Sequence, residues 1–132
     1  MKSYFLLKKE IKPLTRAACA AAKTGMEICG LLVDNGFFLE ILQVKNKSRR
    51  PGHFEFYSRE IDLIEKAVKR LNHEIVGTFH SHPFSSAEPG NSDIENSIEG
   101  EIMLIIDASQ KALGLWKVTS KKKTKLRFNL LG

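Results

Sequence analysis

Between Gly77 and Asp93 the chain reads GTFHSHPFSSAEPGNSD, with two histidines one residue apart and an aspartate eleven positions after the second. Residues i and i+2 of a strand share a face, so His80 and His82 on a strand offer two imidazoles to one point. Pro83 ends regular pairing and turns the chain away. Asp93, at or near the first helical turn after the loop, can return a carboxylate to the same place. Two histidines and a carboxylate suit Zn²⁺ and leave a fourth tetrahedral position for water, the mark of a catalytic rather than a structural site. The same residues also fit a polar strand end, with Asp93 stabilising a helix N-terminus through its dipole. Spacing alone does not choose between the two. His53, after Pro51-Gly52 in a turn, and His73, at the end of an amphipathic helix, are expected at the surface.

The surrounding elements follow from periodicity and turn residues. PLTRAACAAAKT (13–24) reads as a helix with Pro13 near its start and Gly25 placed to end it. EICGLLV and FFLEILQV flank Asp34-Asn35-Gly36, a strong hairpin signal. FEFY reads as a short strand, and Ser58 is placed to cap the next helix. In that helix Ile61, Ile64, Ala67, Val68 and Leu71 form one apolar stripe. EIVGTFHSH is a strand running into the histidine pair, and residues 83–90 are a polar loop between Pro83 and Pro89. A short helix near Ser92 leads to the strand EIMLIID. ALGLWKVT and KLRFNLL are two further strands joined by a lysine-rich turn. The sum is a mixed α/β (α+β) domain of six or so strands with helices on the sheet.

At 132 residues the chain is most simply one domain, 1–132, able to bury a core without disulfides. Its 42% hydrophobic and 27% charged residues are ordinary for a soluble globular protein. No apolar run is long enough to span a bilayer, and MKSYFLLKKEIKPL does not make a signal peptide. No membrane partner is expected, and a cytoplasmic location is the default. Cys19 and Cys29 lack CxxC spacing and read as reduced core residues. A nucleophilic Cys29 is the sharper alternative, opposed by its apolar setting in MEICGLLV. The net charge of +6 concentrates in KNKSRR (45–50) and SKKKTKLR (120–127). Such runs attract nucleic acid or acidic proteins, but no aromatic residues interleave to stack bases. A solvated loop and a hairpin turn are the preferred reading.

His80, His82, Pro83, Pro89 and Asp93 together resemble the H-x-H-P-x5-P-S-x-x-D signature of the JAMM (MPN-plus) zinc metalloprotease family. The preceding VGTF and the upstream E-x-C-G-L-L context are similar to that family too, and the resemblance runs from about Glu27 to Ile106. It implies a cytidine-deaminase-like sheet flanked by helices. It also implies one Zn²⁺ per chain held by His80, His82 and Asp93, with Glu27 contacting the metal-bound water. The chemistry is coherent, because zinc lowers the pKa of bound water to about 7 and a nearby glutamate can shuttle the proton to the leaving amine. One departure stands out: Gly90 occupies the position of the family serine, whose hydroxyl is expected to help stabilise the oxyanion. Ser92, Ser86 or a backbone N–H at Gly90 are the candidate substitutes, whereas Ser81 projects to the opposite strand face.

The resemblance implies hydrolysis of a peptide or isopeptide bond after the C-terminal tail of a ubiquitin-like protein or sulfur carrier, by a compact prokaryotic-type member. Two other classes stay open: a non-catalytic MPN-type scaffold, which Gly90 favours, and a RadC-like nucleic-acid-associated domain. The absence of an appended DNA-binding helix pair weighs against the last. The sequence leaves open whether the chain acts alone or as a homodimer, and which modifier it would process.

Overall fold

The structure, a computed structural model, describes residues 3–132. Along the chain run β1 (Tyr4–Leu7), α1 (Lys8–Ala22), β2 (Cys29–Asp34), β3 (Leu39–Val44), α2 (Ser58–Arg70) and β4 (Glu74–His82). Then follow α3 (Asn91–Glu95), β5 (Glu101–Asp107), β6 (Ala112–Thr119), β7 (Lys122–Lys125) and β8 (Phe128–Leu131). One six-stranded sheet has the order β3-β2-β4-β5-β6-β7, and β1 pairs with β8 in a separate two-stranded sheet. In the large sheet only β4 and β5 are parallel. The expected mixed α/β architecture of about six strands flanked by helices is the one observed. Among the described residues no helix is long and apolar enough to cross a membrane.

The near-continuous apolar run of β5 is explained by burial on both faces. Ile102, Leu104 and Ile106 join the main core with Leu32, Phe79 and Leu115. Ile11, Leu14 and Ala18, on one face of α1, close that core. Met103 and Ile105, on the other face of β5, pack with Val118, Trp116, Ala87 and Ile94. The same alternation along β4 sends Phe79 into the main core and leaves His80 and His82 on the opposite face. Parallel strands cannot be joined by a tight turn, so residues 83–100 must cross over between β4 and β5, and this crossover carries α3.

Several sequence expectations need correction. The first helix begins at Lys8 rather than near Pro13, which lies inside it. The buried stripe Ile11, Leu14 and Ala18 outweighs the single backbone hydrogen bond that a proline removes. FEFY is not a strand: Lys47 N–H bonds the Glu55 carbonyl at 2.9 Å, but residues 53–57 have no ladder. Its alternation is real, with Phe54 and Phe56 half-buried and Glu55 and Tyr57 exposed, because an irregular segment lying on a surface also has an inside and an outside. Ser58 does not cap α2; the cap position is Tyr57, and no side chain bonds there. Ala67 and Leu71 are exposed, so only Ile61, Ile64 and Val68 of the stripe turn inward.

At the C-terminal end the lysine run is itself largely strand. Ser120 and Lys121 take left-handed conformations (φ 50° and 57°) and make a two-residue turn, after which β7 returns along β6. KLRFNLL is divided: Lys125 still pairs with Trp116, while Phe128–Leu131 leaves to run parallel to β1.

Gly77 marks where β4 meets β5. A Cβ there would overlap the Ile102 backbone carbonyl. Gly77→Ala is therefore expected to destabilise the protein by about 1–3 kcal/mol, measured as a lowered denaturant midpoint with an unchanged slope.

Candidate metal centre

His80 and His82 lie at the C-terminal end of β4, and Asp93 sits in the first turn of α3 with Gly90 at the cap position. His80 Nε2 is 3.1 Å from His82 Nε2 and 3.2 Å from Asp93 Oδ1, while His82 Nε2 is 3.2 Å from Asp93 Oδ2. Zinc–nitrogen bonds of about 2.0–2.1 Å at tetrahedral angles set donor separations of roughly 3.3 Å. Three groups with metal-capable donor atoms held that close suit a cation. The group could hold a metal ion. His82 is oriented for it, because its Nδ1 lies 2.8 Å from the Ser86 carbonyl. Donation by that N–H leaves Nε2 free to ligate.

Electrostatics within the group point the same way. Burial alone would raise the Asp93 pKa, but hydrogen bonds from both imidazoles and from Gly90 N–H hold it far below the usual carboxylate range. Burial works against a charged His82, yet the Asp93 hydrogen bond and the Ser86 carbonyl lift its pKa above the ordinary imidazole value. Glu27 is buried at 8% exposure, just before β2, and lines the same cleft of about 370 Å³ as Asp93 and Ser92. Desolvation raises the Glu27 pKa, partly countered by His80 and His82 and reinforced by Asp93. A carboxylate whose proton affinity is raised by burial is suited to proton transfer.

The candidates for the missing serine separate clearly. Gly90 N–H donates to Asp93 Oδ2 at 2.8 Å, so it holds the carboxylate and is not a free oxyanion donor. Ser86 contributes its carbonyl to His82. Ser92 is exposed and lines the cleft, and of the three it is the one placed there. Ser81 faces the other side of β4 as expected, its Oγ accepting from Ile28 N–H at 2.9 Å.

Cys29 is free and buried, with its pKa pushed up to about 12 by burial and by Glu27 and Glu60, which disposes of it as a nucleophile. His53 is exposed on the cleft rim. His73 is half-buried, with a buried Nδ1 that has no hydrogen-bond partner among the described residues, so it is not the solvated surface histidine expected.

Three contributors were not foreseen. Phe54 stacks on His80 with ring centroids 4.8 Å apart at 23°. His80 is fully buried and its Nδ1 has no hydrogen-bond partner among the described residues, so the aromatic face takes the orienting place that an acceptor usually fills. Asn46, inside the basic KNKSRR run, donates through Nδ2 to the carbonyls of Glu27 and His53, both at 3.0 Å. Its Oδ1 accepts from Ser48 N–H and Glu55 N–H, which binds the Phe54 segment to the strand entry that carries Glu27. Thr78, two residues before His80, donates to Glu101 inside the cleft. The aromatic–acidic alternation of FEFY was the only sequence signal for Phe54, and it was equally a strand signal.

Comparison with known proteins bears on the family and the fold. The described family of prokaryotic homologs of the JAB domain matches residues 13–119. A desampylase of Pyrococcus furiosus is 24% identical over 103 residues, covering 77% of this chain and 74% of that protein. A protein of Desulfitobacterium hafniense solved in solution has a TM-score of 0.81 at 23% identity, covering 98% of this chain and 93% of its own. A JAB1/MPN domain protein from Archaeoglobus fulgidus has a TM-score of 0.59 at 17% identity, with both chains covered in full. These two structures share the fold. With a family match spanning most of its length, this chain belongs to the prokaryotic JAB group of the JAMM/MPN family.

Proposed function

We propose that the chain is, as one domain, a zinc-dependent isopeptidase or peptidase acting in the cytoplasm on a ubiquitin-like protein or its conjugate. The observation that carries this reading is the convergence of His80 Nε2, His82 Nε2 and the Asp93 carboxylate, with buried Glu27 lining the same cleft as Asp93. The relative named a desampylase supports a modifier as substrate. His80, His82 and Asp93 would hold one Zn²⁺, whose chemistry is to acidify a bound water and polarise the scissile carbonyl.

The protein's own groups do the rest. Ser86 and Phe54 hold the two imidazoles in place, and Gly90 N–H holds the carboxylate. Glu27 takes a proton from the attacking water and returns it to the departing amine. Ser92, on the cleft wall, is the side chain available to the developing oxyanion. A non-catalytic scaffold is the second reading, favoured by Gly90, which brings no hydroxyl and whose N–H is already engaged.

Elemental analysis should find close to one zinc per native chain and none in a folded Asp93→Ala variant; no zinc in the native protein after metal exposure would refute the reading. Glu27→Gln should retain zinc and lose at least about 10²-fold in turnover, tested on ubiquitin-like proteins carrying a fluorescent amine on the C-terminal tail. Equal turnover in Glu27→Gln would remove that residue from the reaction.

Proton competition gives a signed expectation. Metal ligation needs deprotonated imidazoles, and His82 holds its proton above the usual range in the metal-free protein. Zinc affinity should therefore weaken as pH falls, with the decline already under way above about pH 6.5; chelator competition across that range measures it.

Gly90 has extended backbone angles (φ −82°, ψ 173°), and among the described residues the atom near an added Cβ is Asp93 Oδ2 at 3.7 Å. Gly90→Ser should fold normally and raise turnover about ten-fold or more, within the range that oxyanion donors contribute. An unchanged rate would mean that Ser92 or the cleft backbone already fills the role.

A further inference from the structure

We propose that the β6–β7 hairpin is a positioning clamp for Asp93, and that Lys121, Lys123 and Trp116 are its working residues. The proposal rests on the metal-centre reading above. Asp93 is carried by a helix of five residues, too short to hold its own shape, whose Ile94, half-buried, packs against Met103 and Ile105. The crossover must therefore be held from outside, and the hairpin grips it on both sides of Asp93.

On the N-terminal side, Trp116 Nε1–H donates to the Ala87 carbonyl at 2.8 Å. Gly114 lets that carbonyl lie against β6, since a Cβ there would overlap it. Lys123 Nζ pairs with Glu88 Oε1 at 2.6 Å, reaches the Pro89 carbonyl at 3.5 Å and lies 5.9 Å from the centre of the Trp116 ring. On the C-terminal side, Lys121 Nζ meets the carbonyls of Ile94, Glu95 and Ser97 at 3.3, 3.0 and 3.1 Å. An ammonium has three protons to donate, and here three carbonyls meet it at the C-terminal end of α3 and just beyond.

The turn is shaped for that delivery. Ser120 and Lys121 both adopt left-handed backbone conformations that non-glycine residues rarely take. Ser120 N–H also bonds Glu99 Oε1 at 2.7 Å, beyond the end of α3. All four lysines are exposed, but Lys122 and Lys125 make no side-chain hydrogen bond or ion pair with the crossover among the described residues. Two lysines of the basic run thus act on the Asp93 segment, and two serve as charge-matched controls.

The test compares Lys121→Met/Lys123→Met with Lys122→Met/Lys125→Met, two proteins of equal net charge. Amide hydrogen exchange over residues 87–97 is read in the metal-free state, and zinc affinity by chelator competition. The clamp variant should exchange faster in 87–97 and bind zinc about ten-fold more weakly, as loss of groups that orient a metal ligand does; the control should match the native protein. Lys121→Arg, which keeps several donors, should retain most of the protection. Trp116→Phe, which keeps an aromatic ring but removes the indole N–H, should loosen residues 87–90 selectively. Unchanged exchange in the clamp variant, or equal loss in the control pair, would overturn the proposal. Should the native protein take up no zinc, the metal reading fails, and the exchange comparison alone still decides whether the hairpin holds the segment.

Discussion

The parallel pairing of β4 with β5 is the constraint on which the site depends. Antiparallel neighbours can be joined by a tight turn, but a parallel pair obliges the chain to travel back over the sheet before the second strand begins. That journey, residues 83–100, starts at the C-terminal end of β4, immediately after His82. It brings Asp93 back to 3.2 Å from both imidazoles. The connection required by strand direction thus supplies the third donor. Ligands gathering beyond the carboxyl ends of strands in α/β sheets is a general consequence of such crossovers.

Holding three donors together has an energetic consequence that shapes their surroundings. His80 is fully buried and Glu27 nearly so, and buried polar groups are unfavourable unless paired. The protein meets this with an uneven set of partners. His82 has a carbonyl, Asp93 has a backbone N–H, and His80 has a phenyl face. The raised Glu27 pKa and the lowered Asp93 pKa show two carboxyls in one cleft driven in opposite directions. Desolvation dominates at Glu27; at Asp93 desolvation is outweighed by its hydrogen bonds and the His80 charge acting together. Such divergence is how one pocket keeps one carboxyl as a fixed anion and the other ready to exchange a proton.

The excess positive charge finds an internal use. Of the two basic runs, the first is organised by Asn46 and Ser48 into a loop that supports Glu27 and Phe54. The second forms an exposed edge strand, β7, whose lysines discourage further strand pairing. Individually, exposed ion pairs contribute little. The contacts of Lys121 and Lys123 matter through their convergence on one short segment rather than through the strength of any one of them.

The local pattern was sufficient for the strand alternation that puts His80 and His82 on one face, the Asp34-Asn35-Gly36 hairpin, the buried character of β5 and the family signature that groups Asp93 with the histidines. The first three depend on periods of two residues and on turn chemistry, which near neighbours in sequence impose; the grouping of Asp93 with the histidines came from the family resemblance. The same local rules failed where a remote surface decided the outcome. FEFY has a strand's alternation but no strand beside it, and Pro13 is tolerated because α1 buries a stripe against the sheet. Whether Gly90 N–H is free, which serine faces the cleft, what stacks on His80 and what the lysines touch all depend on segments tens of residues apart. Those contacts exist only after the chain has paid the entropy of closing long loops, so no local window of sequence carries them.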